Sequence, residues 1–320
     1  MVAVPDPHPS LDTVRQPGLT EFKAPLDYKT RVKASYDAYA DRDNGGTPAR
    51  NPAHRTEMVK KVFELLLQGA REDDRNKAWM AAMRSGNRAV TRPFVRTPRG
   101  AVVPTLWGMH ALEAGCGGGA PVIEMLLAEE IDTVAVDISR RQVDAAKGRF
   151  PEATRTLRAV WAEQDMMDMR FPPAEFNMVV ALYSLMHLEQ AEQTVFLHRA
   201  HRWLKPGGML LINFPRDEVQ GQVIDRWQGM ENGLMFKSSW GEVKTLHIIR
   251  ELGFQIMVQR VTGDDSVCEP SFMWVIAKKP KPLAPPKKEE WVRRSRAHTD
   301  AEPLAEDPMT VQGLKDGGVV

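Results

Sequence analysis

"LEAGCGGGAPVIEMLL", Leu112–Leu127, decides the fold. An apolar run with strand character enters a glycine cluster. The cluster opens a run with the i, i+3, i+4 apolar spacing of a helix. Gly115, Gly117 and Gly119 permit positive φ and let a ligand approach the backbone closely. Pro121 suits the start of the helix, where its missing N–H has no partner to lose. In open α/β sheets, the carboxyl end of the first strand is where ligands bind.

Outward from this turn, the first strand runs over 109–114, and short apolar runs follow at 133–137, 156–163, 176–182 and 209–214. Between them lie helical patterns at Pro121–Glu130, Ser139–Arg149 and Glu189–Leu204. Strand and helix in alternation imply a parallel sheet with helices on both faces and right-handed crossovers. The order changes near the C-terminus. Ser239-Trp240-Gly241-Glu242 has the form of a capping box, and the helix it opens carries Val243, Leu246, Ile249 and Leu252 before Gly253. Runs at 254–261 and 271–278, joined by a short polar turn, predict an antiparallel pair. The expected fold is α/β: a doubly wound, mostly parallel seven-stranded sheet with an antiparallel C-terminal hairpin.

Four regions follow from composition. Residues 1–28 read as a flexible arm, 29–104 as a helical lid region with a basic insertion, 105–280 as the ligand-binding domain, and 281–320 as a disordered charged tail. The lid region includes one amphipathic helix, Thr56–Gly69. A net charge of +1 gives no global pull toward nucleic acid or membrane. Two cysteines, Cys116 and Cys268, form no disulfide framework and no metal-binding spacing, so no metal is expected. The lack of an apolar leader or a membrane-length run predicts a cytoplasmic protein. The basic residues between Lys278 and Arg296 leave a nuclear address open beside the reading of a solvated tail.

The glycine turn leaves its ligand ambiguous. Gly115, Gly117 and Ala120 also satisfy the dinucleotide pattern G-x-G-x-x-G/A. Asp137 closes the second strand about 20 residues on, where an acid accepts from ribose hydroxyls. That serves a nicotinamide dinucleotide or any other adenosine ligand.

Further pieces separate the two. Gln164-Asp165-Met166 follows the third strand, and Leu204-Lys205-Pro206-Gly207-Gly208 precedes the fifth. With E-A-G-C-G-G-G (113–119), V-A-V-D (134–137) and F-N-M-V-V-A-L-Y-S-L-M-H-L (176–188), the chain resembles the class I S-adenosylmethionine (SAM)-dependent methyltransferases of the small-molecule type over about residues 105–280. The resemblance implies SAM as cofactor and S-adenosylhomocysteine (SAH) as product. Glu113 and Gly115 would face its amino-acid end, with Gly117 and Gly119 completing the turn. Asp137 would take the ribose hydroxyls, and Ile138 would pack on adenine. Asp165 and Met166 would meet the adenine edge. Ala181 to Ser184 would lie near the reacting sulfur. Asn177 stands where many members have aspartate.

The acceptor is expected to be a small apolar or aromatic molecule, methylated on O or N by direct displacement. Tyr36 and Tyr39 would close over the cleft. Tyr183, Phe214, Arg216, Trp227 and Phe236 would wall the acceptor pocket, as aromatics and methionines gathered there favour an apolar site. His187 is the candidate general base, and packing at the start of a helix is its other reading. Cys116 reads as a small filler. No stripe of alternating aromatic and basic residues points to nucleic acid, and no membrane partner is expected. A homodimer or partner subunit stays open. So does the same fold in a cyclase, an isomerase or a non-catalytic SAM-binding role.

Overall fold

The computed structural model describes residues 27–42, 52–85, 94–99, 101–262 and 271–282. The expected arm up to residue 26 and the charged tail beyond 282 lie outside the described residues, as does part of the basic insertion.

The chain begins with three helices, α1 (Tyr28–Arg42), α2 (Pro52–Glu72) and α3 (Asp74–Arg84), and a small antiparallel pair, β1 (Phe94–Arg96) and β2 (Val102–Pro104). The alternating region follows: β3 (His110–Ala114), α4 (Val122–Ala128), β4 (Asp132–Asp137), α5 (Arg140–Arg149), α6 (Pro151–Arg155), β5 (Ala159–Glu163), β6 (Phe176–Ala181), α7 (Gln190–Trp203) and β7 (Leu204–Pro215). A second antiparallel pair, β8 (Glu218–Asp225) and β9 (Leu234–Trp240), leads to α8 (Gly241–Glu251), β10 (Gln255–Thr262) and β11 (Phe272–Lys278).

Seven strands form one sheet in the order β10-β11-β7-β6-β3-β4-β5. The five from β7 to β5 are mutually parallel, and β11 reverses against β7. The chain winds out one way from β3 and then the other, which leaves a crevice at the carboxyl ends of β3 and β6. Both faces are covered. Met58, Val59 and Val62 of α2 and Ile123 and Leu126 of α4 pack on one face, and Phe196 and Leu197 of α7 and Ile249 of α8 pack on the other. This explains the near-continuous apolar runs of the strands, since a sheet buried on both faces shows no alternation.

Two expectations change. Ser239 does not cap α8 by the capping-box pattern. It belongs to β9, accepts from the N–H of Gly241 at 2.9 Å and donates to the Pro215 carbonyl at 2.8 Å. Arg216 competes for Glu242, the other half of the expected box, and bonds it at 2.9 Å. A capping box does occur on α7, between Glu189 and Glu192. The second change is the β8–β9 pair, which the sequence reading treated only as pocket wall. Its strand β8 alternates exposed and half-buried residues. It packs with Tyr28 and Val32 of α1 in a small apolar cluster of its own. Among the described residues no helix is long and apolar enough to cross a membrane.

Candidate active site

A cavity of about 450 Å3 opens at the carboxyl ends of the parallel strands. Its floor is the glycine turn. Gly115 has φ +82°, and a Cβ there would come within 2.3 Å of Ser184 Cβ. Only glycine lets the turn after β3 lie this close to the segment after β6. Gly115 and Cys116 donate their N–H groups to the Val136 carbonyl at 2.7 and 3.0 Å, which ties the turn to β4.

Asp137, at the end of β4, accepts from Gly117 N–H and Ser139 N–H, both at 2.9 Å. Desolvation pushes its carboxyl above the ordinary aspartate value, with the two N–H groups opposing. Glu113 is 2% exposed, and its Oε2 has no hydrogen-bond partner among the described residues. Desolvation pushes this carboxyl well up, and the nearby Arg55 guanidinium pulls the other way. The Cys116 thiol is likewise pushed up by desolvation and by the charges of Asp137 and Glu113. Such a thiol is a poor nucleophile, in keeping with its reading as filler.

After β5, Asp165 accepts from Met167 N–H at 2.8 Å and pairs with Lys29 of α1 at 2.9 Å. Lys29 also bonds Glu192. The Ile138 carbonyl accepts from Lys33 at 3.1 Å. At the centre, Tyr183 takes a positive φ of 56°, and its N–H donates to Asn213 Oδ1 at 2.6 Å. Its ring lies against Phe272 and Trp274 and beneath the Arg55 guanidinium, 4.8 Å from the ring centroid. Ser184 donates to the Ala114 carbonyl at 2.7 Å, so the ends of β3 and β6 are locked together.

The far wall is aromatic. Trp227 lies 5.1 Å from Tyr36 and 5.2 Å from Tyr39 between ring centroids. The Tyr36 hydroxyl is 2.9 Å from His187 Nε2, and His187 Nδ1 is 2.8 Å from the Phe236 carbonyl.

The structure brings most of the expected residues to one cavity: Tyr36, Tyr39, Gly115, Gly117, Asp137, Ile138, Asp165, Met166, Tyr183, His187 and Trp227. Others do not line it. Glu113 sits beneath the turn, and Gly119 abuts the Phe150 ring. Ala181 is fully buried in the sheet, and Leu182 to Ser184 present the surface instead. Phe214 points into the core beneath α7 and α8. Arg216 turns outward to Glu242. The Phe236 ring is buried against Tyr28, 4.5 Å away, and only its carbonyl serves the site. Met235, its neighbour on β9, lines the cavity in its place. Ser184, at the end of the expected 181–184 segment, lines the cavity, and so do Arg55, Lys29, Gln142 and Lys237, which the sequence reading missed. Lys29 carried a signal, a four-residue polar repeat along α1. Arg55 carried none.

Residues 111–208 match a family profile described as "Methyltransferase domain". The chain is 34% identical over 111 residues to 27-O-demethylrifamycin SV methyltransferase of Amycolatopsis mediterranei, covering 35% of this chain and 40% of that protein. It is 24% identical over 165 residues to the O-methyltransferase resE of Aspergillus sclerotiorum, covering 49% of this chain and 59% of that one. The matches thus span about half the length of these relatives. Among solved structures, a magnesium protoporphyrin IX methyltransferase from Synechocystis, crystallised with SAM, aligns over 81% of this chain and 100% of its own at 19% identity and a TM-score of 0.47. Residues 111–208 are thus similar to a methyltransferase domain. SAM is the cofactor of class I methyltransferases, and the residues lining the cavity fit it: the Asp137 carboxyl, the glycine cradle and the Arg55 guanidinium.

Proposed function

We propose that this protein is a SAM-dependent methyltransferase that methylates O or N of a small aromatic or apolar acceptor. The carrying observation is that one cavity joins the acid-and-glycine end to the Tyr36–His187 pair beneath an aromatic wall. The relatives named O-methyltransferase or acting at an oxygen support the oxygen as target.

When bound, SAM supplies an electrophilic methyl group on a sulfonium. The chain's own residues then have separable tasks. Asp137 would accept from ribose hydroxyls, Ile138 would cover the adenine face, and Asp165 and Met166 would meet its edge. Arg55, which lines the cavity and opposes the rise in the Glu113 titration, suits the carboxylate of the methionine end. Tyr39, Trp227, Ile224 and Met235 exclude water from the acceptor side. Holding acceptor and donor in line supplies much of the acceleration, because displacement needs collinear atoms.

Proton removal falls to His187. A carbonyl only accepts, so the contact with Phe236 fixes the proton of the neutral ring on Nδ1. Nε2 then offers its lone pair, and the Tyr36 hydroxyl donates into it. A proton leaving an acceptor hydroxyl or amine passes to Tyr36 as Tyr36 passes its own to Nε2.

Calorimetric titration of the purified chain with SAM, SAH and NADH tests this reading. Micromolar binding of both adenosyl ligands without NADH binding is expected, followed by transfer of labelled methyl to members of a phenol and amine panel. Failure to bind either adenosyl ligand overturns it.

A further inference from the structure

Helix α1, YKTRVKASYDAYADR, carries two stripes. Lys29, Lys33, Asp37 and Asp41 recur every four residues and therefore share a face. Their partners run along the cofactor loops. Lys29 meets Asp165 and Glu192, and Lys33 meets the Ile138 carbonyl and Glu163. Asp37 Oδ1 accepts from the Ser139 hydroxyl at 2.6 Å and from Arg141 N–H at 3.1 Å. Asp41 pairs with Arg141 at 3.2 Å. The sign of the stripe reverses along the helix, and the sign opposite it reverses in step. Cations lie against carboxylates, and anions lie against the positive N-terminal end of α5.

The second stripe faces the β8–β9 pair and the base. Tyr28 packs on Phe236, and Ser35 Oγ accepts from Leu234 N–H at 2.8 Å. Tyr36 meets His187, and Tyr39 meets Trp227. The two stripes come closest at Tyr36 and Asp37, which are consecutive. Asp37 is bonded to Ser139, the N-cap of α5, and Ser139 N–H is bonded to Asp137. An unbroken chain of contacts therefore runs from Asp137 through Ser139, Asp37, Tyr36 and His187 to the Phe236 carbonyl.

We propose that Asp37 is a positioning residue that sets Tyr36 against His187 from the ribose side of the cleft. It touches neither the acceptor nor the reacting atoms. It fixes the rotation of α1 by two hydrogen bonds to the start of α5, and Tyr36 has no freedom from that rotation. The contact between Tyr36 and His187 is thus assembled by the loop that holds Asp137. The proposal deepens the proposed function and rests on its placement of adenosine at Asp137.

The test uses the full chain and imidazole nitrogen NMR, with the His187 signals assigned by their loss in His187→Gln. Asp37→Leu should move the Nε2 signal to the position it takes in Tyr36→Phe, and should weaken SAH binding about tenfold through the loosened Ser139. Asp37→Asn keeps an oxygen that accepts from Ser139 and Arg141, and should keep the wild-type signal. Asp41→Ala, one turn along and tied among the described residues to exposed Arg141, should keep it too. A wild-type His187 signal in Asp37→Leu overturns the proposal. So does an equal displacement in Asp41→Ala, which would mark a merely loosened helix. An equal displacement in Asp37→Asn also overturns it, since charge rather than hydrogen bonding would then matter. None of these readings needs an acceptor. A chain that binds SAH and shows this coupling but methylates nothing would sink the proposed activity and leave Asp37 in its role.

Discussion

His187 is held from both sides: Nδ1 at 2.8 Å from the Phe236 carbonyl and Nε2 at 2.9 Å from the Tyr36 hydroxyl. The first contact fixes the tautomer, and the second engages the Nε2 lone pair with a phenol that lines the cavity. If the pair moves the acceptor proton, Tyr36→Phe and His187→Gln should each lower kcat by about 10²–10⁴-fold, the usual range for general acid–base catalysis. SAH affinity, measured by calorimetry, should stay near wild type in His187→Gln. Equal losses of kcat and cofactor affinity would make the pair a structural fixture.

Asp137 gives a pH dependence of known sign. Its carboxyl titrates above the ordinary aspartate value because it is desolvated. Accepting from ribose hydroxyls needs the ionised form. SAH affinity should therefore be full above that raised value, and should fall as pH drops through it, earlier than for an exposed aspartate. Stability of the ligand-free chain runs the other way. Between the ordinary and raised values the folded carboxyl holds a proton that the unfolded one has released, so stability rises as pH falls. Glu113, also raised, adds in the same direction. Titrations and unfolding curves over the same pH series check both signs. Asp137→Ala should weaken SAH by about 1–3 kcal/mol through lost hydrogen bonds.

Gly115 offers a steric test. In Gly115→Ala the new Cβ meets Ser184 Cβ at 2.3 Å and must hold φ at +82°. The substitution should cost about 2–4 kcal/mol of stability and open the turn, with SAH binding lost in step. Adding Ser184→Gly removes the clash but not the φ strain, so the double variant should recover part of the stability. No recovery would show that the two segments are not in contact.

The strand–turn–helix at 112–127 was legible because local chemistry is enough there: an apolar run, glycines and a proline need no tertiary partner to be understood. Asp137 was legible for the same reason, as it closes β4, whereas Asp165, two residues beyond β5, was singled out only through the family resemblance. Phe214 and Arg216 were misplaced because proximity to a strand end does not say which face a side chain takes. Phe214 went to the core and Arg216 to Glu242. The β8–β9 pair was hidden behind a turn that uses Arg226 and Gln228 as well as Gly229 at positive φ, so glycine marks only part of it. The polar repeat on α1 could be seen, but its partners come from loops more than a hundred residues away.

Arg55 is the residue no local signal marks, because its place depends wholly on how α2 docks on the sheet. Its guanidinium covers the Tyr183 ring and acts on the Glu113 carboxyl. The guanidinium lines the cavity and suits the carboxylate that SAH carries at its amino-acid end. A ligand that keeps the adenosine and lacks that end, 5′-methylthioadenosine, separates the roles. Arg55→Leu should weaken SAH by about 2 kcal/mol, the worth of a hydrogen bond to a charged group, and leave methylthioadenosine binding unchanged. Equal weakening of both ligands would mean that Arg55 acts by propping Tyr183 rather than by holding a carboxylate. Unchanged binding of both would turn the guanidinium toward the acceptor, and an acidic acceptor would then be the class to screen first.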